Sequence, residues 1–292
     1  MQLFVNDLTV MDFSYLCPQR GMVGESWIVD VILDGDLNDE SMIQDFGKVK
    51  KGLKRLIDEY VDHKLLVPAE HNGAAITHLD EDQVEVRFTL DSGDVIQLFC
   101  PAEAYAFVYS DSVTMDSVGR YMREVIATHL PENVANIELK LRAEQILTPF
   151  YHYTHGLKKH DGNCQRIAHG HRSRIGIFID GQACLESQQY WSQRWQDIYI
   201  ITREDIIDYD MRRSSGALDN PLDYYCCAYE SSQGYFELLI PRKFCEVVET
   251  DSTVECLAQY IFDEQQKRTG QGELRVMAYE GVGKGAMVEG KV

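Results

Sequence analysis

Apolar and polar positions alternate along this chain in blocks, and the blocks recur. Residues 27–33 (Trp-Ile-Val-Asp-Val-Ile-Leu) predict a strand closed by Asp34-Gly35, and residues 174–179 (Arg-Ile-Gly-Ile-Phe-Ile) a strand closed by Asp180-Gly181. Residues 84–99 form two alternating runs around Asp91-Ser-Gly-Asp94, a hairpin signal. Residues 225–240 form a second such pair around Ser231-Ser-Gln-Gly234. Next, residues 114–122 parallel residues 253–261 position by position. Each stretch opens on a capping threonine, Thr114 or Thr253, and has an acid in its first turn, Asp116 or Glu255. Each also carries an apolar stripe at helical spacing: Val118, Tyr121, Met122 and Val125 in one, Leu257, Tyr260 and Ile261 in the other. A final strand follows each helix, at 137–144 and 274–280. The pattern predicts a tandem duplication, repeat 1 over residues 1–147 and repeat 2 over 148–292, with no Pro- or Ser-rich linker at the join.

The halves differ in what lies between these elements. Half one has a long helical period over 43–61, with Phe46, Val49, Leu53, Leu56 and Tyr60 as its buried stripe and Lys50, Lys51, Lys54 and Arg55 on its wet side. It ends in Asp62-His63. Half two has a shorter interval without an Asp-His pair, and its residues 182–222, rich in Trp, Gln and Tyr, show no readable period.

The candidate chemistry sits early in half two. His169 and His171, one residue apart at the start of an alternating run, share one face of a strand. His155, fourteen residues before His169, can meet them across a hairpin. Three imidazoles without a fourth protein ligand match a catalytic zinc site with an open position. The competing reading is a His-rich surface loop, since His152 and His160 crowd the same region. Cys164 is a candidate base or nucleophile, or else an incidental thiol. Asp62-His63 is either a functional pair or a helix-end arrangement in which a charged histidine favours the negative terminus. In half one, Val23 and Glu25 stand where half two has His169 and His171.

Composition narrows the classes. A net charge of −19 argues against a general nucleic-acid binder, which needs a basic face. Residues 151–175 are nonetheless a basic island: Lys158, Lys159, Arg166, Arg172 and Arg174 with five histidines, against Asp161 alone. Such an island suits a small polyanionic substrate, or else a solvated loop that balances acidic neighbours. Eight cysteines are scattered without a CxxC pair, so no disulfide framework is expected and the cytoplasm is the expected location. No stretch is apolar enough to span a membrane, and the start lacks a secretory signal.

These motifs together resemble the 6-pyruvoyltetrahydropterin synthase and 6-carboxytetrahydropterin synthase family, of the tunnelling fold, in tandem form. Half two supplies Tyr153-Thr-His155, Cys164, His169-Gly-His171, Thr253-Val-Glu255 and Glu280. Half one supplies Ile43-Gln-Asp45-Phe46, Asp62-His63-Lys-Leu-Leu66, Thr114 and Glu144. The resemblance implies that His155, His169 and His171 hold Zn²⁺, that Cys164 abstracts a proton, and that Asp62 and His63 complete a proton-transfer triad. It implies that Glu280 anchors the pterin edge of 7,8-dihydroneopterin triphosphate, that Thr253 also binds substrate, and that triphosphate is lost. The expected product is 6-carboxytetrahydropterin, of the queuosine pathway; a pyruvoyl product is the alternative. A metal-dependent hydrolase acting on another phosphorylated compound and a non-catalytic metal- or pterin-binding scaffold are the other classes.

The fold expected from the resemblance is α+β: two tandem tunnelling-fold repeats, each an antiparallel four-stranded sheet with helices on one face. Such sheets have open edges, so a homo-oligomer is expected, a trimer whose six repeats close a barrel.

Overall fold

The computed structural model describes residues 1–79 and 82–292. Half one opens with a long antiparallel hairpin, β1 (Gln2–Cys17) and β2 (Gly21–Gly35), in which Ser14 faces Gly24 and Phe13 faces Glu25. Alternate residues Met11, Phe13, Trp27, Val29, Val31 and Leu33 point into one core, as the pleat requires. That core is closed by α1 (Phe46–Tyr60), capped by the Asp45 side chain on the Lys48 N–H, with Val49, Leu53, Leu56 and Ile57 buried. Phe46, expected in the stripe, is exposed: it is the first helical residue and precedes the packed turns that begin at Val49.

Half one continues with β3 (Leu65–Pro68), β4 (Ala74–His78), β5 (Gln83–Thr89), β6 (Val95–Pro101), β7 (Tyr105–Val108), α2 (Met115–Ala127) and β8 (Val134–Ala143). Half two runs β9 (Phe150–His155), β10 (His169–Ile179), β11 (Gln182–Ala183), α3 (Leu185–Arg194), β12 (Ile198–Thr202) and β13 (Ile206–Ile207). It ends with β14 (Tyr224–Ser231), β15 (Gly234–Pro241), β16 (Cys245–Val248), α4 (Val254–Gln266), β17 (Glu273–Tyr279) and β18 (Gly285–Lys291). Trp191, Trp195, Leu257, Ile261 and Phe262 pack against Tyr151, Tyr153, Ile175 and Ile177 in a second core.

The tandem α+β plan stands, but the four-stranded antiparallel sheet is corrected. The first sheet has five strands in the order β7-β3-β1-β2-β8, and the second has seven, in the order β16-β12-β9-β10-β17-β18 with β11 beside β10. In each, two short strands are added in parallel: β3 and β7 beyond β1, β12 and β16 beyond β9. Leu65-Leu66-Val67-Pro68 and Ile198–Thr202 are buried at every position. Strands covered on both faces carry continuous apolar runs, so a search for alternation passes over them.

The two hairpins foreseen at 84–99 and 225–240 are β5–β6 and β14–β15. They join edge to edge, Leu98 opposite Leu238, in a third sheet ordered β13-β14-β15-β6-β5-β4. Val86, Phe88 and Leu98 of one half share a core with Leu238, Ile240 and Ile201 of the other. The halves also meet face to face. Ser14 Oγ and Thr154 Oγ1 are 2.8 Å apart, and a Cβ built on Gly24 would lie 1.9 Å from the Tyr153 carbonyl oxygen. Only glycine permits that approach of the two backbones. Among the described residues, no helix is long and apolar enough to cross a membrane.

Candidate active site

The site lies on this seam. The β9–β10 register sets His169 directly opposite His155, with His171 two positions further along the same strand. One ring nitrogen from each of the three lies within 4.8 Å of the others, and all three side chains are buried. Two of the outer nitrogens are hydrogen-bonded, and the third faces a carboxylate. His155 Nδ1 donates to the Ser252 carbonyl oxygen at 2.9 Å, His169 Nδ1 donates to the Arg166 carbonyl oxygen at 3.1 Å, and His171 Nδ1 stands 3.2 Å from Asp12 Oδ1. The three Nε2 atoms are buried and have no hydrogen-bond partner among the described residues. Orphaned nitrogens of this kind each cost about 1–3 kcal/mol. With Nδ1 carrying the proton, Nε2 presents a lone pair. Burial pushes His155 and His169 well below the usual histidine value, which keeps both rings neutral. Three buried imidazoles with converging Nε2 atoms, two of them held through Nδ1 by backbone carbonyls, fit a divalent metal with an open position.

Asp62 and His63 come from half one and reach the same point. Both are locked to β1: the Asp12 N–H donates to Asp62 Oδ1 at 2.8 Å, and the His63 N–H donates to the Asp12 carbonyl oxygen at 2.7 Å. His63 takes φ of +55°, a left-handed conformation that is uncommon outside glycine and clusters at functional sites. Its Nδ1 is 2.7 Å from Asp62 Oδ2, and its ring centroid is 5.2 Å from that of His169. The Cys164 sulfur, a His63 nitrogen and a His169 nitrogen lie within 4.8 Å of one another. Burial opposes a charge on His63, but Asp62 and then Cys164 outweigh it and raise the imidazole to about 10. The structure therefore brings the Asp62-His63 pair of one half to the Cys164 of the other within a single chain.

The long hairpin of half two has a place in this arrangement. Cys164 lies in a short turn whose neighbour Gln165 is fully buried, and Gln165 Oε1 accepts from Ser232 Oγ (3.0 Å) and the Gln233 N–H (2.9 Å) at the hairpin tip. Gln233 also donates to Asn163 Oδ1 at 2.8 Å, so the β14–β15 turn clamps the cysteine turn from both sides.

Glu280 sits at the rim, its Oε1 3.9 Å from His171 Nε2 and its Oε2 3.5 Å from Lys284 Nζ. Thr253 is not aimed at the cluster: its hydroxyl accepts the Cys256 N–H and caps α4. The basic island is mostly neutralised. Lys158 pairs with Asp205 and Glu204, Lys159 with Asp251, Arg172 donates to the Glu144 carbonyl oxygen, and Arg174 pairs with the Glu144 carboxylate.

A statistical description of the 6-pyruvoyl tetrahydropterin synthase family matches this chain twice, over residues 17–146 and 147–291. The chain belongs to that family. Among solved structures, the 6-pyruvoyl tetrahydropterin synthase of Plasmodium vivax is 14% identical, with 51% of this chain and 93% of that one covered and a TM-score of 0.40. The corresponding synthase of Plasmodium falciparum is 12% identical, with 48% and 90% covered and a TM-score of 0.39. The comparison with curated proteins finds no match.

Family motifs did not point to Asp12, Ser252 or Lys284. Asp12 is 4% exposed inside a strand, and burial resists its charge. His171, Lys284 and the Ser26 hydroxyl nevertheless hold it at about 2, an anion that orients His171. Its signal was present in the sequence as a charged residue within an apolar run.

The seam of this family member has a second, matching place. Ser14 opposite Gly24 corresponds to Thr154 opposite Gly170, which sets Tyr15, Val23 and Glu25 where His155, His169 and His171 stand. No metal set exists there among the described residues. Instead Arg20 donates to Tyr15 Oη at 3.1 Å and forms a two-pronged pair with Asp197, at 2.9 and 2.5 Å. Burial lifts the Glu25 carboxyl to about 7, and neighbouring His152, lowered to about 4 by burial, offers it no counter-charge. A raised acid keeps its proton in the folded chain after the unfolded chain has lost it. This contribution is therefore full below about 4.5 and is lost as pH rises through 7. Glu25→Gln is expected to stabilise the protein by about 1–3 kcal/mol near pH 8 and to change little near pH 4.5. Urea midpoints at the two pH values check this, and equal midpoints near pH 8 refute it.

Proposed function

We propose that the chain is a zinc-dependent pterin synthase that takes 7,8-dihydroneopterin triphosphate and water, releases triphosphate and the two outer side-chain carbons as acetaldehyde, and forms 6-carboxytetrahydropterin. The observation that carries the reading is the convergence of three buried, orphaned Nε2 atoms beside half-buried Cys164 and His63, the latter held by Asp62, with His169 common to both groups. His155, His169 and His171 would hold Zn²⁺, which supplies a Lewis acid that polarises substrate oxygens and acidifies the adjacent C–H.

The chain's own groups then divide the work. Cys164, as thiolate, takes the proton, and protonated His63 is its counter-ion. Asp62 accepts from His63 Nδ1 and fixes which nitrogen faces the sulfur. Glu280 accepts from two N–H donors of the pterin edge, a charge-assisted bidentate contact. Membership of the 6-pyruvoyl tetrahydropterin synthase family keeps the pyruvoyl product as the second reading. The outer strands β8 and β18 of the first two sheets, each with many exposed positions, support assembly of three chains into a six-repeat barrel.

Incubating zinc-loaded protein with 7,8-dihydroneopterin triphosphate and analysing the products by mass spectrometry tests the reading. Release of triphosphate with a carboxylated pterin supports it, a pyruvoyl pterin selects the second reading, and unchanged substrate refutes both.

A further inference from the structure

Two sets of metal-binding side chains overlap at this centre. The inner set is His155, His169 and His171, all buried. The outer set is His63, Cys164 and His169, of which only His169 is fully buried. In each set the three ligand atoms lie within 4.8 Å of one another. One ion with bonds of about 2.0–2.3 Å holds its ligand atoms roughly 3.3–3.8 Å apart, so either set closes on an ion by a small movement.

The outer set has the support that a metal site needs. Asp62 Oδ2 is 2.7 Å from His63 Nδ1, and a carboxylate behind an imidazole fixes the ring and raises its basicity toward a metal. His169 belongs to both sets. Its Nδ1 donates to the Arg166 carbonyl oxygen at 3.1 Å, and its Nε2 is buried with no partner among the described residues. One lone pair cannot serve two ions. The sets are therefore alternatives and not the halves of a two-metal centre. Their donors also differ. Three imidazoles suit zinc, whereas a thiolate beside two imidazoles favours a softer ion. An ion in the outer set must release the proton held between Cys164 and His63, and a strong metal–sulfur bond offsets that cost.

We propose that His63, Cys164 and His169 form a second metal site, selective for a soft, thiol-seeking cation such as Cd²⁺ or Cu⁺, whose occupation excludes an ion from the inner set. Such an ion ties up both the sulfur and the His63 imidazole, so the protein is metallated and silent. The site goes beyond the reading under Proposed function, and ion binding does not require the substrate named there.

Titrating Cd²⁺ into the zinc-loaded protein tests the site without turnover. The expected result is a near-ultraviolet charge-transfer absorption from a cadmium–sulfur bond, with about one zinc released for each Cd²⁺ bound. Cys164→Ser should abolish that absorption, which separates Cys164 from the other cysteines. Asp62→Asn is expected to weaken Cd²⁺ binding about 10–100-fold. His155→Ala and His171→Ala each damage the inner set alone, so both should keep the absorption, and either serves if the other fails to fold. Absorption that is absent from the wild type, survives Cys164→Ser or vanishes in folded His155→Ala or His171→Ala protein overturns the site. Zinc retained beside sulfur-bound Cd²⁺ overturns the mutual exclusion. None of these readouts uses a pterin, so the site and the proposed reaction fail separately.

Discussion

Cys164→Ala is expected to lower turnover of dihydroneopterin triphosphate by about 10²–10⁴-fold while the protein keeps one zinc per chain. The geometry separates these two effects. The sulfur groups with His63 and His169, whereas the metal set is His155, His169 and His171, so Cys164 shares only one histidine with it. Metal analysis beside a single-turnover assay checks the claim. If zinc leaves together with activity, the sulfur is a fourth ligand and the centre is structural. Because His63 and Cys164 meet within one chain, co-refolding inactive Asp62→Asn protein with inactive Cys164→Ala protein should restore nothing. Recovered activity would place the working pair between chains.

Stripping the metal is expected to produce the second large effect. The chain without metal buries three unsatisfied Nε2 atoms, and a ligand that binds only the folded form stabilises it by about 4 kcal/mol at a thousandfold excess over its dissociation constant. For a chain of 292 residues that corresponds to a fall in Tm on the order of 10 °C on chelation. Re-adding zinc should restore it, and His169→Ala should abolish the response. A melting curve indifferent to chelator, in protein shown to have held zinc, would show that the cluster does not bind it.

Much of this arrangement was readable before the structure, and the reasons differ by element. His169-Gly-His171 could be read because a strand shows every second residue to one face. The helices at 114 and 253 announced themselves through a cap followed by a stripe. The short parallel strands could not be read this way, since Leu65–Pro68 and Ile198–Thr202 do not alternate. Residues 182–222 resisted because α3 buries a glutamine, Gln188, beside Trp191 while exposing Leu185, so polarity does not report its inner face. Strand β18 follows a glycine-rich turn and shows only alternate half-buried positions. The convergence at the seam depends on how two halves pack, and no local pattern encodes that.

The ion pair of Arg20 and Asp197 at the second place on the seam has a consequence for inheritance. In an assembly of identical subunits, one gene writes both places of every seam, so any change appears twice. Here the two places are spelled by different stretches of one gene. An arginine that would silence every centre in a symmetric assembly silences only one place in this chain, and its salt bridge can then be kept for rigidity. The way back is narrow. Restoring a second histidine set means replacing Tyr15, Val23 and Glu25 together, and changing one of them alone leaves an incomplete triad of ligands. A second metal centre in this chain therefore takes three changes at once.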